Sequence, residues 1–209
     1  MNKIKYYILI AISLLTISNL YSQSFKGGVL AGPVTSQVNG DGYGGYHQLG
    51  YTAGFFTNWP TENKSSWQLE LKYSLFGAHS DVKELEWALP YNLRLHYIEL
   101  PIMYRHDLSG VNVNGRNLDF VGFELGISPD FLIRNLQAAG DEYGFENGRW
   151  LFLSFTGNIG LYFNLNEHWS IDVRSMNSIT PCRWRGDSPS IFYGHYYNIA
   201  LQAAIYFTL

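Results

Sequence analysis

From Trp67 the side chains alternate without a break: Trp67, Leu69, Leu71, Tyr73 and Leu75 fall on one face of an extended chain, and Gln68, Glu70, Lys72 and Ser74 on the other. Period two is the repeat of a β-strand, and an apolar face backed by a polar one means that the two faces meet different media. The alternation recurs over residues 150–165, where Leu151, Leu153, Phe155, Ile159, Leu161 and Phe163 oppose Ser154, Thr156, Asn158, Gly160 and Asn164. It returns over residues 197–209, with Tyr197, Ile199, Leu201, Ala203, Ile205, Phe207 and Leu209 opposite Asn198, Ala200, Gln202, Ala204 and Tyr206. Weaker versions cover residues 25–35, 46–58, 93–105, 118–133 and 169–179, which makes eight strands. Runs of ~10 to 14 residues exceed the ~5 to 6 of ordinary globular strands and suit a tilted strand that crosses a bilayer.

The connections supply a second test. Residues 36–45, 77–92, 134–149 and 180–194 form four long links, which alternate with shorter ones at 59–65, 106–117 and 164–168. The first and third short links are tight turns rich in Asn, Pro and Glu; the second is longer, and Val111 to Gly115 within it reads as a small hairpin or a loose loop. Short turns on one side and long loops on the other are the habit of outer-membrane barrels. The predicted fold is therefore all-β: an eight-stranded antiparallel up-and-down transmembrane barrel, with short periplasmic turns, long outer loops and both termini periplasmic.

Charge then decides which face points inward. A Lys or Arg on the lipid face at mid-depth costs about 2 to 4 kcal/mol, so ionised groups belong in the lumen. Glu70, Lys72, Glu99, Arg105, Glu124, Asp172 and Arg174 all share the polar phase of their strands, and Lys26 is available to balance the surplus acid. Gly50, Gly54, Gly122, Gly126 and Gly160 occupy the same phase, where a missing side chain makes room in a narrow tube. Eight strands leave an interior that side chains fill, so these charges are expected to pair across a closed lumen rather than line a channel. The competing reading is a soluble lipocalin-like periplasmic barrel, which shows the same alternation turned inside out. Trp59, Trp67, Trp169 and Phe207 lie at the predicted periplasmic strand ends, where aromatic girdles sit.

Only 15% of the residues are charged, against roughly 25% in ordinary soluble domains. The net charge of -3 and the lack of any basic stripe argue against a nucleic-acid partner. Lys3 and Lys5, an apolar run over residues 6–17 and a polar end over 18–22 read as a cleavable signal peptide at 1–22, leaving 23–209 as the barrel domain. Cys182 is the single cysteine, so no intrachain disulfide can form.

The chain lacks G-x-S-x-G, H-E-x-x-H, paired C-x-x-C and Walker-type motifs, and no catalytic residue, cofactor or metal is assigned. His47, His79, His96 and His195 fall near the predicted outer rim, and His79-Ser80-Asp81 keeps open an alternative in which a rim enzyme modifies lipid. None of the four histidines has the ligand spacing of a zinc site, and the acidic loop at 141–148 does not match a calcium loop. Tyr43, Tyr46, Trp87, Tyr143, Phe145, Trp184, Phe192 and Tyr193 are the outer-loop contact candidates. They serve either as a surface for a protein partner in an envelope complex or as anchors at the headgroup level of the outer-membrane lipid.

Tyr97-Ile98-Glu99-Leu100-Pro101, together with residues 68–74 and Gly77, resembles the PorT-like family of small outer-membrane β-barrel proteins. The likeness extends to residues 28–32, to Gly50 and Gly54, and to the Phe123-Glu124-Leu125-Gly126 strand. It implies an outer-membrane location and, for the founding members, a part in a protein secretion and gliding machinery. Such barrels often end in an aromatic residue, whereas this chain ends in Leu209, with Phe207 two residues before it in the same phase.

Overall fold

A computed structural model describes residues 25–40, 45–61, 63–80, 91–113, 116–138, 148–185 and 194–209. The expected signal peptide and several loop tips lie outside the described residues.

The chain is all-β. In order, the strands are β1 (Lys26–Asn39), β2 (Gln48–Pro60), β3 (Ser65–Ser80), β4 (Tyr91–Glu99), β5 (Ile102–Asp107), β6 (Asn112–Val113), β7 (Arg116–Asn117), β8 (Val121–Ala138), β9 (Gly148–Trp150), β10 (Leu153–Asn164), β11 (Trp169–Ser178), β12 (Arg183–Arg185) and β13 (Tyr197–Thr208). Each long strand pairs antiparallel with its neighbours in sequence, and β1 pairs with β13 from Gly28↔Thr208 to Asn39↔Tyr197. That last pairing closes the sheet, so the wall has no free edge. β4 and β5 act as one barrel strand between β3 and β8, which gives eight staves.

The sequence reads residues 93–105 as continuous, and the interruption at Leu100–Pro101 has a simple cause. Pro101 has no N–H to give to a ladder. Its carbonyl still accepts from the Glu70 amide at 3.0 Å, and Leu100 N–H donates to the Pro129 carbonyl at 3.1 Å, so the wall stays sealed. The other boundaries move outward. β1, β3 and β8 run beyond the predicted loop starts at 36, 77 and 134, because their backbone groups find partners further up the wall. Trp150, the predicted start of a strand, instead joins Gly148 and Arg149 of the predicted loop in pairing with β12 as a small extra ribbon.

The turn end is tightly built. In the connection between Pro60 and Ser65, Asn63 and Lys64 both take positive φ, 63° and 62°, and the Thr61 amide donates to the Ser65 carbonyl at 2.8 Å to close the turn. Asn166 Oδ1 accepts from the amides of His168 and Trp169, both at 2.9 Å, and so forms an Asx-type turn. Within the doubtful stretch, Asn112 and Val113 form β6 and pair with Asn117 and Arg116 of β7, while residues 114 and 115 lie outside the described residues.

The faces divide cleanly. Leu69, Leu71, Leu153, Phe155, Leu161 and Ile205 are exposed on the outer wall, while Glu70 and Lys72 are buried within. An exposed apolar wall of this extent would be insoluble in water, which removes the lipocalin-like reading. Trp59 opposes Trp67, and Trp169 opposes Phe207 with ring centroids 4.7 Å apart, so these aromatics meet in cross-strand pairs at the turn end.

Candidate functional site in the barrel interior

The interior is layered from the turn end upward. At the mouth a polar cavity of about 340 Å³ is lined by Lys26, Asn58, Gln68, Arg105, Asp107, Tyr162 and His168, among others. Arg105 forms its floor. The guanidinium lies 3.8 Å from the Tyr162 ring centre, donates to Gln68 Oε1 at 2.6 Å and reaches Glu124 Oε2 at 3.3 Å. Tyr162 donates in turn to Asp107 at 2.6 Å. Gly122 makes this possible, because a β-carbon there would sit 2.1 Å from the Tyr162 ring.

Above the floor Arg174, fully buried, is the hub. Its Nε donates to Glu124 at 2.7 Å, and its two terminal nitrogens hold both Glu70 oxygens at 3.0 Å. One of them also reaches Asp172 at 3.1 Å and the Tyr206 hydroxyl at 3.3 Å. Gly160 leaves the gap into which Glu124 Oε1 fits, since a β-carbon would stand 3.1 Å from it. Bidentate, charge-assisted geometry of this kind is the arrangement that repays burial of a guanidinium.

A second cation sits one layer up. Lys72 Nζ is 3.1 Å from Glu99 and 2.6 Å from the Gln202 amide oxygen, and Ser74 supplies Glu99 with a further bond at 2.8 Å. Asp130 completes the set. It is buried and accepts from the hydroxyls of Ser128 and Thr156 rather than from a cation. All seven charged residues singled out in the sequence thus lie inside the wall, and Asp130 is an acid that the sequence reading passed over. Lys26 does not supply the balance considered for it: it is exposed at the mouth.

Above these charges the lumen is mostly apolar, with the buried Arg183 guanidinium 5.0 Å from the Trp150 ring centre. Val34, Val38, Phe76, Leu93, Leu95, Tyr97, Met176, Cys182, Tyr196 and Ala200 pack together, with Leu132 and Trp150 against them. Asn198 donates to the Tyr97 hydroxyl at 2.9 Å, which gives that polar tip a partner inside the plug. Cys182, expected in an outer loop, is buried here. Burial pushes its thiol up to about 12, so it stays protonated and inert at neutral pH.

This architecture has known counterparts. The family described as outer membrane protein beta-barrel domain matches residues 20–182. The chain belongs to that family. Among solved structures, this outer-membrane barrel is similar to Neisserial surface protein A (NspA), at 11% identity and a TM-score of 0.51, with 88% of this chain and 96% of the other covered. It also matches Ail, the attachment invasion locus protein of Yersinia pestis (11% identity, TM-score 0.45, 88% and 98% covered). OprG from Pseudomonas aeruginosa matches at 14% identity and a TM-score of 0.38, with 88% and 94% covered. These likenesses concern the fold. No curated protein matches the sequence.

Of the outer-loop aromatics, Tyr46 is exposed beside β2, and Trp184 on β12 stacks on His195 with ring centres 4.1 Å apart. Tyr43, Trp87, Tyr143, Phe145, Phe192 and Tyr193 lie outside the described residues. The four histidines do not converge: His47 is exposed, His79 is partly buried, His96 bonds Tyr73 on the outer wall, and His195 is buried under Trp184. Among the described residues no cluster of three or more His, Cys, Asp or Glu could hold a metal. The Ser80 side chain and Asp81 fall outside the described residues.

Proposed function

We propose that this outer-membrane barrel is a non-enzymatic scaffold whose sealed, ion-paired interior makes the wall rigid, and whose long outer loops engage a protein partner in an envelope assembly. The observation that carries the reading is the filled lumen: the Arg174 hub and the apolar plug above it stand in series, so solutes have no open route past the described residues. A barrel that conducts nothing through its interior acts at its ends. Its loop end carries the longer connections and the exposed Tyr46 and Trp184. The likeness to PorT-like proteins supports a place in secretion or envelope assembly. In this reading residues 1–22 are removed on export, residues 23–209 form the barrel, and the turn end with both termini faces the periplasm.

The test has two arms. In planar bilayers the purified protein should give no steady conductance. Replacing residues 81–90 and 139–147 by short Asn-Gly turns should leave a heat-modifiable barrel but abolish cross-links to a partner in intact cells. A steady open channel in the parent, or identical cross-links after trimming, contradicts the proposal.

A further inference from the structure

Two arginines break the rule that keeps charge off the outer wall. Arg94 on β4 is exposed between Leu93 and Leu95, which are both fully buried, so its side chain lies on the lipid side. Arg134 on β8 reaches the same face through an irregularity. β8 carries one extra residue where the register steps from Tyr97↔Leu132 to His96↔Arg134, and Ile133 is the unpaired one. Without that step Arg134 would share the inward phase of Glu124 and Asp130. With it, Arg134 stands opposite His96, one pair along from Arg94↔Leu136. Both flank His96 on the outer face, Arg134 in register with it and Arg94 two residues before it on the same strand. His96 in turn bonds the Tyr73 hydroxyl at 2.5 Å, and the Tyr73 and Tyr51 rings lie 5.7 Å apart.

The acids of the wall point the other way. Glu70, Glu99, Glu124 and Asp172 all pair with Lys72, Arg105 or Arg174 inside the lumen, and among the described residues no carboxylate forms an ion pair with Arg94 or Arg134. Height adds a second argument. Arg94 is in register with Gly77, ten residues along β3 from Trp67 of the turn-end aromatic pairs. At ~3.3 Å per residue and a tilt of ~40°, that is roughly 25 Å along the membrane normal. The apolar band of such barrels is itself about 25 Å tall, so Arg94 comes out where the opposite headgroups begin. Arg134 and His96 lie slightly below it, and Tyr51 and Tyr73 below them have the amphipathic character suited to an interface.

We propose that Arg94 and Arg134, with His96 and Tyr73 beside them, form a wall-side binding site for the phosphate of an anionic lipid in the leaflet at the loop end. Planar guanidinium groups match phosphate oxygens two at a time, and a site half-shielded by acyl chains strengthens each bond. The lipid is the source favoured over free phosphate, because the greasy wall directly below, with Leu71, Ile98 and Phe131, offers its acyl chains a surface that an inorganic ion cannot use.

Native mass spectrometry of the detergent-purified chain, titrated with dioleoyl phosphatidic acid or dioleoyl phosphatidylcholine, tests this. The parent should retain at least fivefold more of the phosphatidic acid, and millimolar inorganic phosphate should not displace it. The Arg94→Gln/Arg134→Gln variant should lose that preference, whereas Arg149→Gln at the rim should keep it, each variant first shown to be a folded, heat-modifiable barrel. Equal retention of the two lipids by the parent overturns the proposal without any variant. So does an unchanged preference in the double variant, or displacement by phosphate alone.

Discussion

Every nitrogen of Arg174 reaches an acidic or phenolic oxygen, and three carboxylates converge on that one side chain. Removing a single partner from such a group leaves the rest as uncompensated buried charge, at a cost of about 3 to 5 kcal/mol. Arg174→Met should therefore lower the urea midpoint of the barrel in detergent sharply. Adding Glu70→Gln, Glu124→Gln and Asp172→Asn to the same chain should recover part of the loss, since the three carboxylates left without their guanidinium are then neutral, while Arg105 gives up its Glu124 partner. A single variant as stable as the parent would show that the hub does not hold the interior together. Glu70 and Lys72 could be read from sequence because they sit in an unbroken alternation, whereas Glu99, Arg105, Glu124, Asp172 and Arg174 share the polar phase of weaker ones, in which Arg94 already takes the opposite phase. Asp130 was not singled out, although residues 118–133 read as one strand. Its even spacing from Glu124 was the available signal, and only the hydroxyls of Ser128 and Thr156 across the lumen show why an acid is tolerated there.

Among the elements, β8 shows how a strand can carry two phases. Up to Leu132 its even-numbered residues point inward, and beyond Ile133 the odd-numbered Asn135 stands opposite the buried Leu95. A bulge of this kind is invisible to a period-two count, which is why residues 134–138 looked like loop in the sequence. The same limit applies to β4, where Leu93, Leu95 and Tyr97 are plug while Arg94, His96 and Ile98 are wall: the polar side chains of this stretch face outward, so alternation read as polar-inside points the wrong way there. Deleting Ile133 should regularise the pairing without moving any side chain to the wrong face, and the variant should assemble with normal heat modifiability. Deleting Leu125, within the regular part of β8, should reverse inside and outside for one arm of the strand and abolish assembly. If both deletions fold, or neither does, the assignment of Ile133 as the extra residue is wrong.

At the level of the whole molecule, the strand count, the meander order and the sidedness of the wall followed from periodicity and loop spacing. The division of the lumen into a charged lower half and a mostly apolar upper half did not, because it depends on which residues meet across the tube. Wall and filling support one another: eight staves closed by β1 and β13 give a tube that Arg174, Tyr206 and Phe76 can fill, and the filled tube resists collapse. The inside-out arrangement is the claim on which the rest stands, and site-directed spin labelling in proteoliposomes measures it directly. In a Cys182→Ala background, nitroxides placed singly at Leu69, Leu71, Leu153 and Phe155 should collide with dissolved oxygen far more than with a water-soluble nickel chelate, and labels at Ser74 and Thr156 should be shielded from both. Ready collision of the first four with the nickel chelate would mean that this face meets water, and the bilayer-spanning barrel would have to be abandoned.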